Sequence, residues 1–127
     1  MMMPLQETPL QNQRILIVED DYLVAQVVTG FLEDAGAQII GQIGWVDEAV
    51  TFIHENHAMI DYAVVDLNLH GRKSYPVADA LTESGITFVF ATGYGGGVLD
   101  KPYKNYPRCE KPFTQRGLVA ALTASRG

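Results

Sequence analysis

The stretch Arg14-Ile15-Leu16-Ile17-Val18-Glu19-Asp20-Asp21 decides how this chain is read. Residues 15–18 are an unbroken run of Ile, Leu and Val, with no polar residue to face water. Such a run marks a strand buried on both faces, the condition of a parallel sheet covered by helices. It stops on the consecutive acids Glu19, Asp20 and Asp21. Asp21 stands where a helix N-cap is wanted. Leu23, Val24, Val27, Val28, Phe31 and Leu32 follow at helical spacing as far as Gly36, a residue suited to ending a helix.

The alternation continues downstream. Residues 37–43 read as a second strand. Asp47 is placed as the cap of a second helix reaching His57, with Ala49, Val50, Phe52 and Ile53 as its buried stripe and Trp45 packing where it begins. Residues 62–65 are a third buried strand, ending at Asp66. Pro76 suits the first turn of a short helix reaching Glu83, with Gly85 beyond it. Residues 86–91 give a fourth strand and residues 107–110 a weaker fifth; Thr114 caps a last helix carrying Leu118, Val119 and Leu122. This predicts a doubly wound α/β sheet, and the right-handed crossover rule makes the flavodoxin-like five-stranded order 2-1-3-4-5 the natural one. One connection breaks the pattern. A helix is wanted between strands four and five, yet Gly95, Gly96 and Gly97 would each cost about 1 kcal/mol in a helix interior, and Pro102 about 3 kcal/mol more. The fourth helix is therefore expected to be short, distorted or replaced by a Gly-rich loop over residues 94–106.

Composition sets limits. A chain of 127 residues with 47% hydrophobic and 19% charged residues has room for one compact domain with a real core. The polar stretch 1–13, with Pro4 and Pro9, is expected to be a flexible N-terminal tail, and 14–125 the folded domain. No apolar run approaches the ~20 residues of a membrane helix, and the opening residues lack a signal pattern. A net charge of −6 with nine scattered Lys and Arg argues against a nucleic-acid surface. Cys109 is the single cysteine; it excludes an internal disulfide, suits a reducing, cytoplasmic setting, and reads as a small buried hydrophobe. His54 and His57 fall at a helix end, where positive charge suits the dipole, and are read as surface residues.

In an open parallel sheet, ligands bind at the carboxyl ends of the strands, near the reversal in strand order. On that edge strand one places Glu19 and Asp20, strand three Asp66, strand four Thr92, and the chain after strand five Lys111. His70 borders the edge with no chemistry assigned to it. Carboxylates this close repel, by roughly 4 kcal/mol for unit charges about 4 Å apart at an effective dielectric near ~20. The group must take up protons, recruit cations, or both. Lys111 offsets one charge. An oxygen-only set with open positions suits Mg²⁺ (or Mn²⁺), and without His or Cys beside it zinc is disfavoured. Asp66 is then a candidate nucleophile toward phosphorus, with Lys111 steadying the developing charge and the Thr92 hydroxyl available to a phosphoryl oxygen.

Ile15-Leu-Ile-Val-Glu-Asp-Asp21, Val64-Val-Asp-Leu-Asn68, Phe90-Ala-Thr-Gly-Tyr94 and Lys111-Pro-Phe113, in this order and spacing, resemble the motifs of response-regulator receiver domains over roughly residues 14–125. The resemblance implies a CheY-like fold and a phosphoryl group accepted on Asp66 from the phosphohistidine of a sensor histidine kinase. It implies a metal held by Glu19, Asp20, Asp66 and the backbone carbonyl of Asn68, with Thr92 as switch hydroxyl, Lys111 as phosphate-binding lysine, and a cis Lys111–Pro112 peptide. Such a domain catalyses only its own phosphoryl transfer and dephosphorylation and is not otherwise an enzyme. Residues 90–94, with Ser74-Tyr75-Pro76 and the glycine loop, resemble the subfamily nicknamed for its FATGUY motif, whose members are often stand-alone and work with HWE-type histidine kinases. Receivers carry an aromatic switch residue three positions before the lysine; Arg108 stands there, leaving Tyr94 or Tyr106 as substitutes. Output is expected from a monomer or weak dimer, through a downstream protein that docks on the ordered glycine loop, or by draining phosphoryl groups from a shared kinase.

Rival readings lack their marks. A flavin carrier wants a Ser/Thr-rich loop where Glu19 to Asp21 stand. Gly41-Gln-Ile-Gly44 lacks the third glycine of a dinucleotide fingerprint, and residues 93–97 lack the Lys-Ser/Thr of a P-loop. A dehalogenase-type phosphatase wants an acid where Asn68 stands. The remaining alternative is a degenerate receiver that binds proteins independently of phosphorylation.

Overall fold

The computed structural model describes residues 9–93, 99–100 and 103–125. β1 (Arg14–Val18) lies inside the sheet, as its apolar run requires, with Ile15, Leu16, Ile17 and Val18 fully buried. It pairs in parallel with β2 (Gln38–Ile43) and β3 (Tyr62–Asp66). β3 pairs with β6 (Thr87–Thr92), and β6 with β7 (Arg108–Glu110). The resulting five-stranded order, β2-β1-β3-β6-β7, is the one predicted.

Alternation along β1 builds two cores. Leu16 and Val18 pack with Val46, Ala49 and Ile53 of α2 (Val46–Asn56) and with Val77, Ala78 and Leu81 of α3 (Tyr75–Glu83). Ile15 and Ile17 face the other way, against Ala25, Val28 and Leu32 of α1 (Tyr22–Asp34) and Leu118 and Leu122 of α4 (Gln115–Ser125). Successive side chains of a strand point to opposite faces, and each large aliphatic buried this way contributes roughly 1.5–3 kcal/mol. Among the described residues no helix is long and apolar enough to cross a membrane.

Helix ends follow the sequence with one exception. Asp21 Oδ1 accepts from the N–H groups of Leu23 (2.9 Å) and Val24 (3.2 Å), and Thr114 Oγ1 from that of Gly117 (3.0 Å). Asp47, expected to cap α2, does not. The extended residue before the helix is Trp45, because Val46 must turn inward to be buried. Asp47 instead sits in the first turn, where acids suit the dipole, and its carboxylate meets Arg72 at 3.1 Å.

Part of the stretch expected to be a flexible tail is packed. Residues 1–8 of the expected tail lie outside the described residues, but Pro9 to Gln13 are folded against the domain. Leu10 is fully buried, its N–H donates to Ala35 O (3.3 Å), and that of Asn12 to Gly36 O (2.9 Å). Gly36 has φ +98°, and a Cβ there would lie 2.9 Å from the backbone Cα of Gln11, so this packing needs glycine twice over.

The expected loop between strands four and five falls partly on residues 94–98 and 101–102, outside the described ones. Among the described residues no helix lies between β6 and β7, and residues 103–106 form a turn. Cys109 is only half-buried, because β7 is an edge strand. A small hairpin was not foreseen. β4 (Asn68–Leu69) and β5 (Arg72–Lys73) pair antiparallel around His70-Gly71, both with positive φ (51° and 82°), as the favoured two-residue hairpin turn requires.

Candidate functional site

Strand register assembles the carboxyl edge. Val18 lies opposite Val65, so Glu19 and Asp66 leave their strands side by side. Thr92 ends β6, and its carbonyl accepts from Lys111 N–H at 2.7 Å, which brings Lys111 to the same edge. Lys111 Nζ then donates to Glu19 Oε1 (3.1 Å) and to Asp66 Oδ2 (3.2 Å). Glu19 Oε2 accepts from Asp21 N–H (3.0 Å), Asp66 Oδ1 from Asn68 N–H (3.3 Å), and Asp20 Oδ2 from His70 N–H (2.9 Å). One carboxylate oxygen from each of Glu19, Asp20 and Asp66 lies within 4.8 Å of the others.

The charges are tuned by burial and by these partners. Glu19 is pushed up to about 7, chiefly by burial and further by the neighbouring Asp66, while Asp21 N–H and Lys111 oppose the rise. Burial also pushes Asp20 up, but the His70 N–H and its other hydrogen bonds outweigh that and hold it below the ordinary range. Burial lowers Lys111, yet its two carboxylate partners overcome this and keep it above its ordinary value. The Thr92 hydroxyl is buried and has no hydrogen-bond partner among the described residues. An orphaned buried polar group costs about 1–3 kcal/mol, which an oxygen-rich ligand at this edge would relieve. All-oxygen donors, surplus negative charge and a waiting hydroxyl fit a hard divalent cation together with a phosphoryl group.

Glu19 gives the first prediction. It binds its proton more tightly folded than unfolded, so its stabilising effect is full below 4.5 and is lost as pH rises through about 7. A divalent cation favours the ionised carboxylate and acts in the opposite sense. Melting curves in EDTA and in Mg²⁺ are expected to show a larger Mg²⁺-dependent rise in Tm at about pH 8 than at about pH 6. Equal rises at both would remove Glu19 from the site.

Solved structures share this architecture. The solution structure of SdrG from Sphingomonas melonis Fr1 superposes with a TM-score of 0.76 at 39% identity, covering 88% of this chain and 97% of that one. The receiver domain of the Erythrobacter litoralis PhyR response regulator gives 0.75 at 21% identity over 91% of this chain and 90% of that one. A response regulator receiver protein from Sinorhizobium medicae WSM419 gives 0.76 at 23% over 92% and 96%. The chain belongs to the response-regulator receiver family. Neither a protein-family model nor a curated protein matches it.

Within this receiver the Lys111–Pro112 peptide is cis, as the resemblance implies. Of the two substitutes for the aromatic switch, Tyr94 lies outside the described residues. Tyr106 packs on Phe90, with ring centroids 6.3 Å apart and planes at 19°, while Arg108 is exposed on β7. Sequence reasoning missed Ser74, which is fully buried and donates from Oγ to the Asp66 carbonyl at 2.6 Å. It also assigned nothing to His70. A serine before Tyr-Pro reads as a helix start, and no spacing rule reveals that its hydroxyl reaches back to a strand.

Proposed function

We propose that Asp66 accepts a phosphoryl group from the phosphohistidine of a sensor histidine kinase, making the chain a phosphorylation-controlled signalling protein. The observation that supports this most is the Lys111 ammonium held between Glu19 and Asp66, on the same edge as a buried Thr92 hydroxyl without a partner among the described residues. In the transfer an Asp66 oxygen bonds to phosphorus as the P–N bond breaks, and the imidazole keeps the electron pair; the products are an aspartyl phosphate and a free histidine. Lys111 supplies positive charge where the phosphoryl oxygens arrive, and the Thr92 hydroxyl donates to one of them. Glu19, Asp20, Asp66 and the Asn68 carbonyl would hold Mg²⁺ or Mn²⁺, whose charge, when bound, lets one anion approach another.

The receiver role is regulatory, with no substrate beyond its own acceptor. The likeness to SdrG, at 39% identity over 97% of that chain, supports the receiver role. The FATGUY-like residues favour an HWE-type kinase as donor, and output is by binding a downstream protein or by acting as a phosphate sink. We take the domain to occupy residues 9–125. Incubation with acetyl phosphate and Mg²⁺ followed by intact mass is expected to show one phosphoryl adduct, absent in Asp66→Asn. No adduct on the wild type, with no Mg²⁺ binding either, would favour a phosphorylation-independent binding module.

A further inference from the structure

Trp45 is the single tryptophan of the chain and is 53% exposed, yet its ring lies flat on the His70 imidazole, centroids 3.5 Å apart and planes within 7°. The imidazole is itself pinned. Its Nδ1 lies 2.9 Å from Gly44 O, and since a carbonyl only accepts, Nδ1 carries the hydrogen. The backbone N–H of the same residue donates to Asp20 Oδ2. His70 also has φ +51°, a conformation uncommon outside glycine, so its contacts hold the turn where it is. Gly44 closes the unit from beneath: a Cβ on it would sit 3.1 Å from Asp20 Cα. Asp20, Gly44, Trp45 and His70 thus form one packed group on the open side of the acid cluster, joining the start of α2 to the β4–β5 turn.

We propose that Trp45 is a positioning residue for the divalent-cation site: stacked on His70, it holds the β4–β5 turn so that His70 N–H fixes the Asp20 carboxylate toward Glu19 and Asp66. The inference rests on the reading of those acids as a cation site. One Asp20 oxygen is then anchored on the protein and the carboxylate is pre-aimed, while Glu19 and Asp66 are already held by Lys111. Without the indole the turn loses the ring that clamps it, and Asp20 is free to swing into water. Groups that orient metal ligands in this way typically contribute about 10–100-fold to metal affinity.

The test is Mn²⁺ binding to the full chain, followed by calorimetry and by the electron paramagnetic resonance of free Mn²⁺. Trp45→Ala is expected to weaken binding about tenfold, and Trp45→Phe, which keeps a stacking ring, to restore most of it. His70→Asn, which tolerates positive φ but lacks the ring, is expected to weaken binding like Trp45→Ala and serves in its place if that variant does not fold. Unchanged affinity in Trp45→Ala or His70→Asn overturns the positioning role, as does equal weakening in Trp45→Ala and Trp45→Phe. A wild-type chain that binds no Mn²⁺ overturns the cation-site reading instead.

Discussion

Lys111→Met is expected to destabilise the metal-free chain by about 3 kcal/mol at about pH 8, and by clearly less at about pH 6. Met keeps most of the side-chain volume, so the loss is electrostatic. Lys111 touches Glu19 and Asp66, whose side chains are only 5% and 12% exposed. Removing the cation leaves two facing carboxylates without a counter-charge in a poorly solvated place, and breaking a buried pair from one side costs about 3–5 kcal/mol. The pH dependence comes from Glu19, not from the lysine. Lys111 is held above its ordinary value of 10.5, so its own contribution is constant across this range. Glu19 titrates near 7 and is largely neutral at the lower pH, where the lysine has less charge to offset. Loss of Lys111 lets Glu19 keep its proton to still higher pH, so the variant relieves itself in acid. Urea unfolding at the two pH values reads this difference, and Mg²⁺ is expected to recover part of the loss at the higher one. An equal loss at both would mean that the lysine acts by packing and that Glu19 carries no charge to balance.

The parts of the fold that were legible are those governed by local pattern. The run from Ile15 to Val18 announces burial on both faces, and both cores are built on it. Asp21 and Thr114 cap helices because capping depends on the next two or three residues. The edge constellation was legible for a different reason: parallel register places strand ends side by side, so Glu19, Asp66 and Lys111 converge once strand order is known. What escaped depends on contacts across the fold. Leu10 is an isolated apolar residue in a polar stretch, and only its burial against the Ala35–Gly36 corner shows that residues 9–13 pack on the sheet and helices. The β4 and β5 strands, Asn68–Leu69 and Arg72–Lys73, are too short for any periodicity, and a histidine opening a turn of positive φ is not a turn signal. Ser74 against the Asp66 carbonyl, and Trp45 on His70, join segments that no spacing rule connects.

Phe90 is where the unusual connection before β7 is tied to the sheet, and Phe90→Ala is expected to cost about 3–5 kcal/mol. Its ring is fully buried and meets Tyr75 edge-on at 6.0 Å, Phe88 edge-on at 5.5 Å, and Tyr106 at 6.3 Å. Tyr75 in turn stacks on Tyr103 at 4.1 Å, and hydrogen bonds lock that stack: Asp100 N–H donates to Tyr75 Oη (2.8 Å), and Tyr103 O–H to Asp79 (3.1 Å). Among the described residues of this connection, 99–100 and 103–106 are thus held to α3 and β6 by aromatic rings and these hydrogen bonds. Removing the central ring leaves a cavity bordered by rings that cannot all collapse into it, and also forfeits aromatic pairs worth about 0.5–1.5 kcal/mol each. Set against a total stability of about 5–15 kcal/mol, this is a large share. The consequence reaches the site, because Phe90 and Thr92 lie on the same strand and Asp66 pairs with Ala91 between them. Hydrogen exchange in Phe90→Ala is therefore expected to rise most in residues 103–106 and at the end of β6, with β1 protected until global unfolding. Phe90→Leu, which refills most of the volume, is expected to recover the greater part of the stability but not the protection of 103–106. A loss below about 1 kcal/mol for Phe90→Ala would mean that Tyr106 and Phe88 close the gap, and that the tie to the sheet runs through Tyr106 instead.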